Sequence, residues 1–112
     1  MTTLDQKVRN FFAQRRIAVA GVSRHKQHHP SGELIYRRFK AGGHQVFAIN
    51  PNMETFEGDR CYPDLRSIPG GVDAVVIITR PEVTTRIVRD CGDAGVRYVW
   101  IHNQLGKSGG KN

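Results

Sequence analysis

The sequence predicts a doubly wound α/β domain built on one parallel sheet. Three observations lead there. Short uninterrupted apolar runs, Ile17-Ala18-Val19-Ala20, Val46-Phe47-Ala48-Ile49 and Ala74-Val75-Val76-Ile77-Ile78, each give way to a polar loop. Segments with helical apolar spacing alternate with these runs. A glycine, Gly21, stands directly after the first run. Such runs mark strands covered on both faces, as in the interior of a parallel sheet. Strand–helix alternation then implies right-handed crossovers with helices on both sides.

Along the chain, Thr3-Leu4-Asp5-Gln6 has the form of a capping box. Leu4, Val8, Phe11 and Phe12 repeat at helical spacing and predict an amphipathic helix over residues 4–14, packed on the domain. The run 17–20 is the first strand. A polar, basic loop over 21–29 leads to Pro30, which suits the first turn of a helix. Leu34, Ile35 and Phe39 give that helix its apolar face, and Gly42-Gly43 supplies a left-handed stop. The second strand, 46–49, is halted by Asn50-Pro51-Asn52. Cys61-Tyr62 reads as a very short third strand, and residues 63–68 as one or two helical turns. Ala74 to Ile78 is the strongest strand signal. Thr79-Arg80-Pro81-Glu82 opens the next helix with a cap, an early proline and an early acid. Val83, Ile87, Val88 and Cys91 line its face, Gly95 ends it, and residues 96–101 form the last strand. The expected sheet has about five strands in the order 3-2-1-4-5. Residues 1–105 form the single domain, with its N-terminal helix, and the Gly/Lys-rich stretch 106–112 is expected to be a flexible tail.

At 112 residues the chain is one domain with room for a real core. No apolar run approaches the roughly 20 residues needed to cross a bilayer, and the N-terminus lacks the basic flank and apolar stretch of a secretory signal. Cys61 and Cys91 form no CxxC and have no ligand-spaced histidine beside them, so they read as buried thiols in a reducing, cytoplasmic location. The net charge of +7 raises nucleic acid, an anionic membrane and a phosphorylated small ligand as partners. The basic residues are spread, without a run of five like charges or interleaved aromatics, which argues against a nucleic-acid surface and for a solvated basic one. Those beside the glycine turn need a specific reason.

In such a sheet ligands bind beyond the carboxyl ends of the strands, where the strand order reverses. Three loops converge there: 21–29, 50–53 and 79–82. Gly21 lets the backbone turn tightly and approach a ligand, and the helix that follows aims its amides and positive dipole end at the same place. Ser23 offers a hydroxyl; Arg24 and Lys26 offer charge. The dinucleotide fingerprint G-x-G-x-x-G is incomplete, because Ser23 and Lys26 stand where its second and third glycines belong. The acid that reads an NAD ribose is also missing from the end of the second strand, which is Ile49-Asn50-Pro51. A ligand with an extra phosphate on its ribose suits these basic surroundings better.

The segments IAVAGVSR (17–24), VFAINPN (46–52), CYPDLRSIP (61–69), VDAVVIITRPE (72–82) and AGVRYVWIH (94–102) stand in the order and spacing of the small stand-alone CoA-binding proteins. These proteins resemble the CoA-binding domain of succinyl-CoA synthetase α subunits. The resemblance covers residues from about 10 to 102 and implies a Rossmann-like fold binding coenzyme A or acyl-CoA. Carried over by position, Gly21, Val22, Ser23 and Arg24 meet the phosphates, and Asn50 and Pro51 border the adenosine part. Ile78, Thr79, Arg80 and Pro81 flank the pantetheine or pyrophosphate, and Arg24 or Lys26 reaches the 3′-phosphate. Members of that family continue past the last strand with a further helix and strand. Without them, Tyr98, Val99 and Trp100 are expected at an exposed edge, and the chain is expected to self-associate or to be marginally stable.

No catalytic set stands out. Ser23 lacks the G-x-S-x-G context of a nucleophile elbow, and His102 is a lone histidine after the last strand. The domain holding the phosphorylated histidine of succinyl-CoA synthetase has no counterpart here. His25, His28 and His29 sit in a loop without fixed geometry or a cysteine beside them, so no metal site is expected. The sequence therefore predicts a non-catalytic binding or regulatory module for coenzyme A or acyl-CoA. The alternatives are an NADP-dependent oxidoreductase or another nucleotide-binding protein.

Overall fold

The computed structural model describes residues 6, 9, 13–22 and 31–101. Among them β1 (Arg16–Ala20), α1 (Ser31–Ala41), β2 (Gln45–Ile49), β3 (Thr55–Phe56), β4 (Asp59–Tyr62), a 3-10 turn (Leu65–Ser67), β5 (Ala74–Ile77), α2 (Pro81–Ala94) and β6 (Tyr98–Ile101) follow in sequence. Of the expected N-terminal helix, 4–14, four residues are described: Gln6 and Arg9 are helical, Ala13 is in a turn with its amide donating to the Arg9 carbonyl (3.0 Å), and Gln14 is outside the helix. The 106–112 segment and most of the 21–29 loop lie outside the described residues.

The strands form one sheet in the order β3-β4-β2-β1-β5-β6. Its parallel part, β4-β2-β1-β5-β6, reproduces the expected 3-2-1-4-5 order. The strand count is corrected from five to six by β3, which pairs antiparallel with β4. Two residues, Glu57 and Gly58, connect them, both with positive φ (52° and 86°). A two-residue hairpin with the right-handed strand twist requires this conformation. With Glu in place of Asn or Asp before the glycine, the hairpin signal was faint in the sequence. The last strand is shorter than expected. Gly95 turns left-handed (φ 74°), and the Val96 amide donates back to the Cys91 carbonyl, so Val96 belongs to the end of α2.

β1 is central, with Val19 opposite Ala48 on one side and Val76 on the other. The strict alternation of a strand divides its side chains between two cores. Ile17, Val19, Ala48, Ala74 and Val76 pack with Tyr36 and Phe39 of α1. Ala18, Ala20, Ile49, Val75 and Ile77 pack with Leu65, Ile68 and Cys91 of α2 and the 3-10 turn. Burial pushes the Cys91 thiol up to about 11. No described helix is long and apolar enough to cross a membrane.

Polar clasps hold the sheet away from its carboxyl ends. The Arg16 guanidinium donates to the Gly71 carbonyl (2.8 Å), Gln45 Oε1 (2.8 Å) and the Pro69 carbonyl, and lies 4.7 Å over the Phe47 ring. The Tyr36 hydroxyl donates to Asp59 Oδ2 (2.7 Å), which also takes Lys40. Lys40 and that hydrogen bond hold the Asp59 carboxyl below its usual value. α1 is thereby tied to the β3–β4 hairpin, against which the Tyr36 and Phe56 rings meet edge-on at 5.0 Å.

Candidate functional site

Strand order reverses between β2, β1 and β5, and the chain ends of these strands surround one cleft. Gly21 sits at its floor with φ 117°. A Cβ there would lie 2.1 Å from the Ile78 carbonyl oxygen, so only glycine lets the turn after β1 pass this close to the end of β5. The Ile78 amide completes the junction by donating to the Ala20 carbonyl at 2.8 Å. Gly32, in the first turn of α1, is a second close approach: its Cβ would meet the Gly21 carbonyl oxygen at 2.7 Å. The start of α1 is thus pressed onto the glycine turn, as the last glycine of a dinucleotide fingerprint presses helix on strand. Sequence reading passed over Gly32 because the intervening loop, 22–31, is far longer than the fingerprint spacing.

The turn after β2 is held by its asparagine. Asn50 Nδ2 donates to the Val22 carbonyl (2.8 Å), while its Oδ1 accepts the Asn52 amide (2.8 Å). The Asn50 amide itself donates to the Tyr62 carbonyl (2.8 Å). One side chain therefore joins the glycine turn to the Asn50-Pro51-Asn52 turn. An acid there would lose the donor to Val22, so the missing carboxylate has a structural cause in addition to its consequence for ligand choice.

On the far side, Thr79 and Thr84 share a hydroxyl–hydroxyl hydrogen bond of 2.7 Å, and Thr84 Oγ1 donates to the Thr79 carbonyl (3.1 Å). The N-cap of α2 is Arg80, without a side-chain cap, followed by Pro81 at the helix start. The expected capping role of this segment is therefore corrected: the Thr79 hydroxyl turns to Thr84 rather than to a free helix amide.

The cleft has a volume of about 670 Å³, within the range of roughly 300–1,000 Å³ usual for small-molecule sites. Of the residues expected from sequence, Gly21, Asn50, Pro51 and Thr79 line it. Val22 and Ile78 are buried beneath and support the turns, and Arg80 and Pro81 are exposed at the start of α2 beside it. Ser23, Arg24 and Lys26 lie outside the described residues. Two walls escaped the sequence reading. One is the 3-10 turn region with Pro63, Asp64, Leu65 and Arg66; the other is a stripe of α2, Val83, Arg86, Ile87 and Asp90. The stripe follows the three- and four-residue spacing of one helix face. Val83 and Ile87 were legible as apolar positions, and the charged Arg86 and Asp90 at the same helical spacing were the available signal. Among the described residues no cluster of metal-ligating side chains occurs.

A parallel sheet of this order, with a cleft at the carboxyl ends beside a glycine turn, defines a doubly wound domain of Rossmann type, the class that binds nucleotides at that place. A family profile described as "CoA binding domain" matches residues 15–107. The chain belongs to that family, whose ligand is coenzyme A. Over 92 residues it is 30% identical to the α subunit of ADP-forming acetate–CoA ligase II of Pyrococcus furiosus, covering 81% of this chain and 20% of the relative. The chain thus spans about a fifth of that curated relative. Among solved structures, a conserved hypothetical protein of Pyrococcus furiosus superposes with a TM-score of 0.69 at 30% identity, covering 79% of this chain and 74% of that one. A dinucleotide-forming acetyl-coenzyme A synthetase of Ca. Korarchaeum cryptofilum matches at 32% identity with a TM-score of 0.67, covering 75% of this chain and 18% of that enzyme.

Proposed function

We propose that the cleft between the Gly21 turn, the Asn50 turn and α2 is the coenzyme A site, and that this domain binds CoA or acyl-CoA without chemistry of its own. The observation that carries the reading is the meeting in one cleft of the Gly21 close approach and the Asn50 clasp, at the switch point of a domain in a CoA-binding family. Gly21 leaves backbone free for a pyrophosphate, and α1 begins directly against it, so helix amides and dipole favour an anion there. Pro51, Pro63, Leu65, Val83 and Ile87 give the adenosine and pantetheine apolar contact. The titratable side chains among the described lining are Asp64, Arg66, Arg86 and Asp90. Asp64 is committed to Ser67, whose amide and hydroxyl it accepts at 2.9 and 2.8 Å. This set contains no nucleophile beside a base, which supports a module that holds the cofactor for a partner enzyme.

Calorimetric titration of the folded chain with CoA, NADP and NAD tests the reading. Saturable one-to-one binding of CoA, tighter than of either dinucleotide, is expected. Absence of CoA binding in a sample shown to be folded overturns it, and preference for NADP replaces it with the oxidoreductase alternative.

A further inference from the structure

We propose that the amino end of the sheet carries a second ligand surface, a platform of aromatic rings and guanidiniums that binds single-stranded nucleic acid by base stacking and phosphate contact. Strand alternation puts Arg16 of β1, Phe47 of β2, and Arg60 and Tyr62 of β4 on one face of the sheet. It is the face that α2 covers over β5 and β6. At β2 and β4 the rings of Phe47 and Tyr62 are half-buried, with their centroids 6.0 Å apart. Each ring carries a guanidinium: Arg16 lies 4.7 Å from the Phe47 centroid and Arg60 5.1 Å from that of Tyr62. The four side chains line a hollow of about 520 Å³ that shares no lining residue with the cleft of Gly21 and Asn50.

Charge separates the two hollows. In the cleft at the carboxyl ends, Arg66 and Arg86 stand against Asp64 and Asp90, so that lining does not account for a net charge of +7. The amino-end hollow sets Arg16, Lys40 and Arg60 against Asp59, and Asp59 is paired with Lys40. Arg16 gives its guanidinium hydrogen bonds to two carbonyls and to Gln45, none of them a carboxylate. Arg60 is exposed, and among the described residues its contact is the Tyr62 ring. Two cations unopposed by an acid therefore stand over two half-buried rings. A phosphate or an acidic peptide would use the charges and leave the rings without a planar partner. A nucleotide strand uses both, because every base has a π face and every linkage an anion. One stacked base holds weakly by itself, so two rings with a cation beside each favour a strand over a free mononucleotide. The four residues come from three strands, which is why spacing along the chain shows a scattered basic surface where the sheet assembles a patch.

The test follows the fluorescence anisotropy of a labelled single-stranded oligothymidylate of about 12 nucleotides, a length within the site size of such platforms, against the full chain. Wild type is expected to bind it with an affinity that falls as salt rises. Arg60→Ala weakens binding and flattens the log–log salt slope by about 0.7, the share of one phosphate contact on a single strand. Tyr62→Leu, which keeps an apolar side chain at a half-buried position, lowers affinity about 10-fold and leaves the slope unchanged. Melting curves check both variants. Where Tyr62→Leu melts early, Arg60→Ala and the amide shifts of Arg16, Phe47 and Tyr62 under wild-type titration carry the test. Saturating CoA leaves oligothymidylate binding unchanged. No binding by wild type at low salt, equally tight binding of polyphosphate or polyglutamate of matched charge, or displacement of the oligonucleotide by CoA overturns the proposal.

Discussion

β5 and β6 are neighbouring four-residue apolar strands, Ala-Val-Val-Ile beside Tyr-Val-Trp-Ile, paired in parallel register. Their fates differ. Every residue of β5 is buried, whereas Val99, Trp100 and Ile101 of β6 are exposed. Ile77 and Ile101 stand directly opposite each other, at 0% and 50% exposure. Composition is nearly matched, so neighbours account for the contrast. β5 has a strand on each side and a packed layer on each face, while among the described residues β6 has a strand on one side alone. The cleft follows the same contrast: the ends of β1 and β2 and the turn after β5 line it, and no described residue of β6 does.

The largest expected effect falls at the buried junction. Gly21→Val forces a Cβ against the Ile78 carbonyl at a backbone angle unsuited to an L side chain, and should cost about 4 kcal/mol, read by urea unfolding. That variant therefore reports on folding before it reports on binding. Next comes the matched pair. Ile77→Ala should cost about 3 kcal/mol through its cavity, and Ile101→Ala below about 1 kcal/mol. Similar costs at both positions would break the contrast and show that β6 is covered in solution.

An edge strand with apolar side chains on both faces invites pairing with another strand. The chain is expected to self-associate with rising concentration in sedimentation experiments, and Trp100→Lys to reduce this. A wild-type chain that stays monomeric at all concentrations contradicts the expectation. The smallest effect is electrostatic. The Asp59 carboxyl, held below its usual value by Lys40 and Tyr36, adds stability that is present above the unfolded value near about 3.9 and lost as pH falls through the folded one. Asp59→Asn should thus flatten the acid end of the stability curve, and a melting series from neutral to acid pH checks this.

Much of the sheet was readable because buried parallel strands announce themselves as continuous apolar runs, as 17–20, 46–49 and 74–78 do. The β3–β4 hairpin was not, since Glu57-Gly58 is an uncommon bearer of two positive φ angles. At the site, Gly21 was legible from its place after a strand. Its contact with Ile78, 57 positions away, is set by the sheet order and has no local mark in the sequence. Asn50 was visible as a strand stop and as a neutral position, but its clasp on Val22 depends on two loops meeting. Arg86 and Asp90 looked like the outer face of a helix; they line the cleft because α2 packs through Ile87 and Cys91 and turns this stripe toward the strand ends.

CoA is proposed to occupy the cleft at the carboxyl ends of the interior strands. Amide shifts recorded by NMR during a CoA titration test it most directly. Changes are expected at Gly21 and Val22, at Asn50 and Asn52, and along α2 from Val83 to Asp90, with Arg16, Gln45 and Arg60 at rest. Shifts centred on those last three residues, or none at Gly21 and Asn50 in a chain saturated with CoA, would contradict it.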